Sequence, residues 1–342
     1  MIPVQNIYYM LSYAFQALQT QTYKNLATEN FHNTAELCAA ILDKGVSTQL
    51  KRGLGRDYVP KSESLSTLQG KLNISQSIKT QALLKKQMIC TYDEFSTNTP
   101  FNQIIKSTIL LLLKANITNT RKKSLRNLLL FFSDVDEIDL RFVNWNQRYN
   151  RSNQTYQLLI GICYLVYNGL LQTQTDGTTK IMDFFDEQRM CHLYEKFLLE
   201  YYKKEHPELT ANASQIAWQL DDTENQMLPK MQTDIMLSKG NNILIIDAKY
   251  YSHMTQQQYV TNTLHSKNLY QIFTYVKNKE FELRNVEHTV SGMLLYAQTN
   301  EDIIPHNTYQ MSGNQITVRA LNLNQNFSGI ADELDAIINN SF

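Results

Sequence analysis

Apolar residues recur at three- and four-residue spacing over residues 6–18, with Ile7, Met10, Leu11, Ala14 and Leu18 on one stripe, which predicts an amphipathic helix. A second helix is expected over 33–42. Between residues 46 and 95 the texture changes. Short alternating runs, VSTQL, LNISQSI and QMICTY, are split by Gly53, Gly55, Pro60 and Gly70, which predicts a β-rich excursion. Helical spacing returns over 100–115, with Pro100 at its start, and over 121–132. Residues 134–152 are polar and aromatic without a period, so a domain boundary is expected there. Two further helices are predicted at 154–167 and 188–204, the second with Cys191, Tyr194, Leu198 and Tyr201 on one side. Past Pro207 the pattern reads as strands, QIAWQL, TDIMLS and NILIIDAKYY. A helix over 268–276, a last strand VSGMLLYAQ and a closing helix over 330–338 follow.

This mixture places the chain in the α/β (α+β) class. Its 342 residues suit two domains, 1–150 and 151–342. Only 11 Gly and 6 Pro argue against collagen-like or disordered classes. Apolar runs such as residues 109–113 are far short of the ~20 residues that span a bilayer. The opening MIPVQNIYYML has neither a basic n-region nor a small-residue cleavage site, so a cytoplasmic location is expected. Cys38, Cys90, Cys163 and Cys191 are scattered, which excludes a zinc ribbon and a C-x-x-C site and predicts buried free thiols. Net charge is zero, yet residues 1–150 hold 18 basic against 11 acidic residues and the remainder 14 against 21. Such asymmetry fits either two domains with different partners or ordinary surface variation.

The chemistry concentrates in residues 231–251, MQTDIMLSKGNNILIIDAKYY. Two strands flank the turn-rich SKGNN, which predicts a hairpin. Strand side chains alternate faces, so Asp247 and Lys249 share one, and the hairpin brings Asp234 beside them. Residues 243–246 are all apolar, and a charge at the end of such a buried strand is costly unless paired or metal-bound. Two carboxylates and an ammonium suit a hard cation such as Mg²⁺, which polarises a phosphodiester and acidifies water, while the lysine orients or deprotonates that water. The plain alternative is an Asp–Lys ion pair capping a strand. Gln271 and Tyr275 lie one turn apart on the next helix, as catalytic candidates or as a core edge. Glu195, in HLYEKFLLEY, extends the cluster or pairs with Lys196 or Lys203. His265, in the segment before the Gln271 helix, is a weaker candidate for substrate contact, an ordinary surface histidine being the plain alternative. The histidines show no metal-ligand spacing, and no P-loop or G-x-S-x-G elbow is present, so the chain should bind no nucleotide by such a loop.

Several blocks in order carry a resemblance over nearly the full length: IPVQNIYYMLSYAF, LDKGVSTQLKRGLGRDY, TYDEFSTNTPFNQIIKSTI, and LPKMQTDI with ILIIDAKYY and HSKNLYQIFTYV. The chain resembles the McrC family, nuclease subunits of McrBC modification-dependent restriction systems. The resemblance implies a C-terminal PD-(D/E)xK restriction-endonuclease-like domain, a central mixed sheet flanked by helices. Asp234, Asp247 and Lys249 match its motif, with Thr233 where a proline often stands. It implies catalytic roles for these three with Gln271 and Tyr275, similar to the Q-x-x-x-Y element of RecB-like members. A metal, Mg²⁺ or Mn²⁺, is implied on Asp234, Asp247 and the Ala248 carbonyl, with Glu195 as a further ligand. The resemblance also implies an N-terminal mixed α/β domain that docks on a hexameric McrB-like AAA+ GTPase and stimulates it, GTP being used by that partner. The excursion over 46–95 looks like a projecting arm, with Lys51, Arg52, Arg56 and Lys71 as partner-binding candidates. Double-stranded methylated DNA and a second nuclease copy complete the implied partners; no membrane is among them. A stand-alone RecB-like repair nuclease and a non-catalytic activator of the AAA+ partner remain open readings.

Overall fold

The computed structural model describes residues 2–20, 23, 25–26, 29, 31–150, 153–171, 187–222, 227–250, 255–258, 261–298 and 305–342. The chain divides into two compact units, one of Met1–His32 with Phe185–Phe342, the other of Asn33–Phe184. The second is therefore an insertion, and the single boundary expected near residue 150 is not where the chain divides. Residues 134–150 are irregular apart from a 3-10 turn at Leu140–Phe142, but they are anchored within their unit. Lys106 donates to the carbonyls of Phe132 and Val135 at 3.0 and 2.5 Å, the Ile138 N–H donates to Ser107, and Phe101 stacks on Tyr149. Side-chain anchoring of this kind leaves no periodic trace in a sequence.

Helix α1 (Val4–Ala14) opens the chain. In the inserted unit, α2 (Thr34–Leu50) is capped by the Asn33 side chain, which accepts from the Glu36 N–H. Ala35, Leu37, Cys38, Ala39, Ala40, Ile41 and Leu42 are all buried, so this helix is enclosed nearly all round. It runs eight residues past the expected end at Leu42, through the VSTQL run read as extended. There the Thr48 hydroxyl donates to the Lys44 carbonyl, an i−4 bond that seats a β-branched residue in a helix. The arm is the antiparallel sheet β1 (Asp57–Leu65), β2 (Lys71–Leu72) and β3 (Met88–Ser96), in order β1-β3-β2. The LNISQSI run is mostly a short helix, α3 (Ile74–Lys79), because Asn73 caps it. Helices α4 (Pro100–Lys114), α5 (Asn119–Leu129) and α6 (Tyr156–Leu171) complete the unit, α6 against α2 and α4.

The other unit holds α7 (Glu187–Glu205) and a six-stranded mixed sheet in the order β12-β13-β11-β8-β7-β4. Its strands are β4 (Thr210–Asn212), β7 (Ile235–Lys239), β8 (Asn242–Lys249), β11 (Thr289–Ala297), β12 (Asn307–Met311) and β13 (Asn314–Leu321). QIAWQL yields only β5 (Gln215–Ile216), which pairs with β6 (Met231–Gln232). VSGMLLYAQ is not the last strand, since β12 and β13 follow as a hairpin on the two-residue turn Ser312–Gly313. β9 (Thr255–Gln258) and β10 (Thr261–Leu264) form a separate ribbon. β8, β11 and β13 run parallel and are buried on both faces, hence their continuous apolar runs. Helix α8 (Ser266–Glu282) packs on one face, where Ile272, Tyr275 and Val276 meet Ile243, Ile245, Val290, Leu294 and Tyr296. α7 packs on β7 and β8 and is tied to α1 and to α9 (Phe327–Ser341). Tyr13 and Tyr201 sit 5.3 Å apart, Tyr201 donates to Asp335 at 2.7 Å, and Asn6 donates to the carbonyls of Leu323 and Gln325.

Candidate active site

The hairpin of β7 and β8 sets the geometry. Lys239 pairs with Asn242, leaving Gly240 and Asn241 as a two-residue turn, and Gly240 takes the positive φ (+61°) that such a turn demands at its first position. From that turn the register runs to Ile235 opposite Ile246, so Asp234 falls opposite Asp247 one step on. The Ala248 N–H donates to Asp234 Oδ2 at 2.9 Å and locks the two strand ends together. Asp247 is 1% exposed. Lys249 Nζ lies 2.8 Å from Asp247 Oδ2 as an ion pair, but neither Asp247 oxygen accepts a well-directed hydrogen bond.

The electrostatics follow from burial. Desolvation lifts the Asp234 carboxyl well above the usual carboxylate range, and the negative charges of Asp247 and Glu195 add to this. Lys249 and the Ala248 N–H pull it only part of the way back. Asp247 is likewise raised, first by burial, with Lys249 opposing. A carboxyl pair driven this way accepts a cation readily, because positive charge placed between them removes the penalty that raises both.

The α8 side completes the arrangement. Lys249 Nζ donates to Gln271 Oε1 at 3.4 Å, Gln271 Nε2 donates to the Tyr275 hydroxyl at 3.0 Å, and that hydroxyl donates to the Gln232 carbonyl at 3.0 Å. A relay thus runs from the lysine back to β6, the short strand that precedes Asp234. It is possible because α8 lies very close to β11 at Gly292, where a Cβ would come within 2.8 Å of Ile272 Cγ1 and Val276 Cγ2. Gln271 reaches Lys249 rather than the carboxylates.

Glu195 approaches from α7. Its Oε1 accepts from the Cys191 thiol at 3.0 Å, and its Oε2 lies 3.2 Å from His192 Nδ1. Cys191 Sγ is also 4.0 Å from the Ala248 carbonyl oxygen. Lys196 and Lys203, weighed as partners for Glu195, are engaged elsewhere: Lys196 lies over the Phe15 ring and Lys203 pairs with Glu200. Cys38, Cys90 and Cys163 are buried as expected, whereas Cys191 is half-buried. Its contact and that of His192 escaped the sequence reading; the only signal was their i−4 and i−3 spacing from an acid. His265 stands at the N-cap of α8 without capping it through its side chain. Lys51, Arg52, Arg56 and Lys71 are all exposed in the inserted unit, at the end of α2, before β1 and on β2.

Among the described residues, no three His, Cys, Asp or Glu side chains gather into a ready-made metal cluster. The donors at the strand end are two carboxylates and the Ala248 carbonyl, with Glu195 close enough to act on both aspartates electrostatically. All are hard oxygens, and the buried Asp247 oxygens lack hydrogen bonds, so the residues present fit a hard divalent cation.

The family described as McrBC 5-methylcytosine restriction system component matches residues 4–297. The chain belongs to this family. The chain is 31% identical over 339 residues to the Type IV methyl-directed restriction enzyme EcoKMcrBC of Escherichia coli (strain K12), covering 97% of this chain and 96% of that one. Among solved structures it is similar to a chain in the half-complex from the tetradecameric assembly of Thermococcus gammatolerans McrB AAA+ hexamers with bound McrC. That likeness has 17% identity and a TM-score of 0.51, covers 98% of this chain and 76% of that one, and shows a shared fold. The cryo-EM structure of the Thermococcus gammatolerans McrBC complex matches 59% of this chain and 58% of its own at a TM-score of 0.41 and 20% identity. This member of the McrBC family thus carries its acid–lysine cluster on a mixed α/β unit interrupted by an inserted one. No helix among its described residues is long and apolar enough to cross a membrane.

Proposed function

We propose that this McrBC-family chain is the DNA-cleaving subunit of a modification-dependent restriction complex. It works in the cytoplasm on an McrB-like AAA+ GTPase hexamer, stimulates that partner's GTP hydrolysis, and cuts methylated double-stranded DNA. The observation that carries the reading is the buried Asp234–Asp247 pair at a strand end, with Lys249 held beside it by the Gln271–Tyr275 relay. The unit formed around this sheet is read as a PD-(D/E)xK nuclease domain, and the inserted unit as the part that docks on the ring.

Asp234, Asp247 and the Ala248 carbonyl would hold Mg²⁺ or Mn²⁺, with Glu195 as a further acid. The cation supplies Lewis-acid polarisation of the scissile phosphate and a more acidic water. Lys249 keeps its ammonium aimed into the site because Asp247 and Gln271 hold it from two sides. There it orients the attacking water and offsets the negative charge that builds on the phosphoryl oxygens. Tyr275 keeps its proton, since burial raises its hydroxyl, and so remains a donor to the Gln232 carbonyl. That bond fixes the strand preceding Asp234 relative to α8. Each site cuts one strand, so a double-strand break requires a second copy of the chain. The residues that hold the cation by themselves carry net negative charge, which disfavours DNA until a partner delivers it.

The test is cleavage of a methylated plasmid by this chain with its AAA+ partner, Mg²⁺ and GTP. Wild type should cut only with partner and GTP, and Asp247→Ala should not cut while still stimulating GTP hydrolysis. Equal cleavage by both proteins would remove Asp247 from catalysis and favour a non-catalytic activator.

A further inference from the structure

The chemistry of the Asp234–Asp247 centre uses the β-strand ends and α8, and leaves residues 191–195 of α7 unexplained. Among the described side chains of α7, Glu195 is the acid that acts on both aspartates. A glutamate has three rotatable side-chain bonds and, left alone on a helix surface, spreads over many rotamers. Here both of its oxygens are engaged from its own helix. The Cys191 thiol donates to Oε1 from one turn earlier at 3.0 Å, and His192 meets Oε2 at 3.2 Å. The two contacts differ in kind. The His192 side chain is 71% exposed, so its hold on Glu195 competes with water. Cys191 is half-buried and lies 4.0 Å from the Ala248 carbonyl, so its sulfur is wedged between the acid and the strand end. An independent observation points into the same space: the carboxylate of Asp247 is 1% exposed, and it is held there by the Lys249 ammonium 2.8 Å from Oδ2 without a well-directed hydrogen bond on either oxygen.

We propose that Cys191 is a positioning residue for cation binding, its thiol donating to Glu195 and holding that carboxylate toward the Asp234–Asp247 pair. This rests on the reading of that pair as the cation site. The thiol donates to Glu195 Oε1 at 3.0 Å and sits against the Ala248 carbonyl, so it acts on the acid rather than as a ligand itself. Side chains that orient a ligand without touching the metal are worth roughly ten- to a hundredfold in metal affinity. The effect expected here sits at the low end, because a thiol is a weak donor.

The experiment is calorimetric titration of the full chain with Mn²⁺ at neutral pH, with no DNA or partner present, alongside a thermal melt of each variant. Glu195→Gln and Cys191→Ala should each weaken Mn²⁺ binding by roughly tenfold. Cys191→Ser, which keeps a donor, should stay within about twofold of wild type. The double variant Cys191→Ala/Glu195→Gln should bind no more weakly than Glu195→Gln alone, since the thiol acts only through that acid. If the alanine variant melts early, Cys191→Val replaces it, keeping apolar volume without a donor. Asp247→Ala separates the two claims. If it abolishes Mn²⁺ binding while Cys191→Ala binds like wild type, the cation reading stands and the role of Cys191 is overturned. Equal weakening by the serine and alanine variants overturns it too, because packing rather than donation is then at work. If Asp247→Ala binds Mn²⁺ like wild type, the cation site itself is misplaced and the inference falls with it.

Discussion

A carboxylate taken out of water is unfavourable to fold, and for Asp247 the Lys249 ion pair offsets that burial only in part. The raised pKa of Asp247 and that of Asp234 fix the sign of a pH effect. An unfolded aspartate loses its proton near pH 4, whereas these two keep theirs to higher pH in the folded chain. Above pH 4 the native state therefore binds more protons than the unfolded one, and stability falls as pH rises toward the folded values. In EDTA, the thermal midpoint of wild type should drop more between pH 5 and pH 8 than that of Asp247→Asn, and Mn²⁺ should reverse the drop. A wild-type slope no steeper than the variant's would contradict this. A second prediction concerns Gln271, which touches Lys249 and not the carboxylates. Gln271→Leu should reduce cleavage by roughly ten- to a hundredfold through loss of lysine placement, with Mn²⁺ affinity unchanged in calorimetry. Asp234, Asp247 and Lys249 were legible as a group because strand alternation and a two-residue turn fix their geometry locally. The contacts of Cys191 and His192 were not, because they depend on where α7 meets the end of β8, which only tertiary packing decides.

Two elements owe their placement to single residues. In the inserted unit, Glu36 is buried and ties α2 to α5: its carboxylate accepts from the Thr118 N–H and hydroxyl at 2.8 and 2.9 Å and lies 3.5 Å from Arg121. Glu36→Ala removes a carboxylate from beside Arg121 and strips the Thr118 donors of their acceptor. Breaking a buried pair from one side costs about 3–5 kcal/mol, so the inserted unit should melt well below wild type, which circular dichroism would detect. In the other unit, Gly292→Ala would force α8 away from β11. Overpacking costs about 1–3 kcal/mol, and cleavage should fall further than stability alone explains, because Gln271 moves with the helix. Most helices were legible from apolar spacing, among them α4, whose Pro100 and Thr99 cap mark its start. The errors cluster where local polar bonds compete with pattern. Thr48 hides the last turns of α2, Asn73 starts a helix inside an alternating run, and residues 134–150 are held by side chains instead of by periodicity. That last feature moved the domain boundary.

At the scale of the whole molecule, the insertion separates charge as well as structure. Residues 33–184 hold 19 basic against 12 acidic residues, so the unit with the acid cluster carries the opposite surplus of seven. The basic surplus directed attention to Lys51, Arg52, Arg56 and Lys71 as partner contacts, and all four are exposed. Magnitudes favour a different set on the same arm. An exposed ion pair is worth about 0–1 kcal/mol and is screened by salt, whereas burying a Leu, Ile or aromatic side chain contributes about 1.5–3 kcal/mol. The arm exposes Tyr58 and Phe95, whose rings lie 5.2 Å apart, and Ile74, Ile78, Leu83 and Leu84 around α3. If the arm docks on the AAA+ ring, these side chains should supply most of the affinity. The concentration of this chain that half-saturates partner GTP hydrolysis should rise more than tenfold for Ile78→Asp/Leu84→Asp. It should rise less than threefold for Lys51→Ala or Lys71→Ala at physiological salt. Both apolar positions are exposed, so neither change should lower the thermal midpoint, and Mn²⁺ binding at the Asp234–Asp247 centre should be unaffected. The reverse ranking, with the lysine variants the weaker stimulators and their defect growing at low salt, would mean that charge and not apolar contact brings the two proteins together.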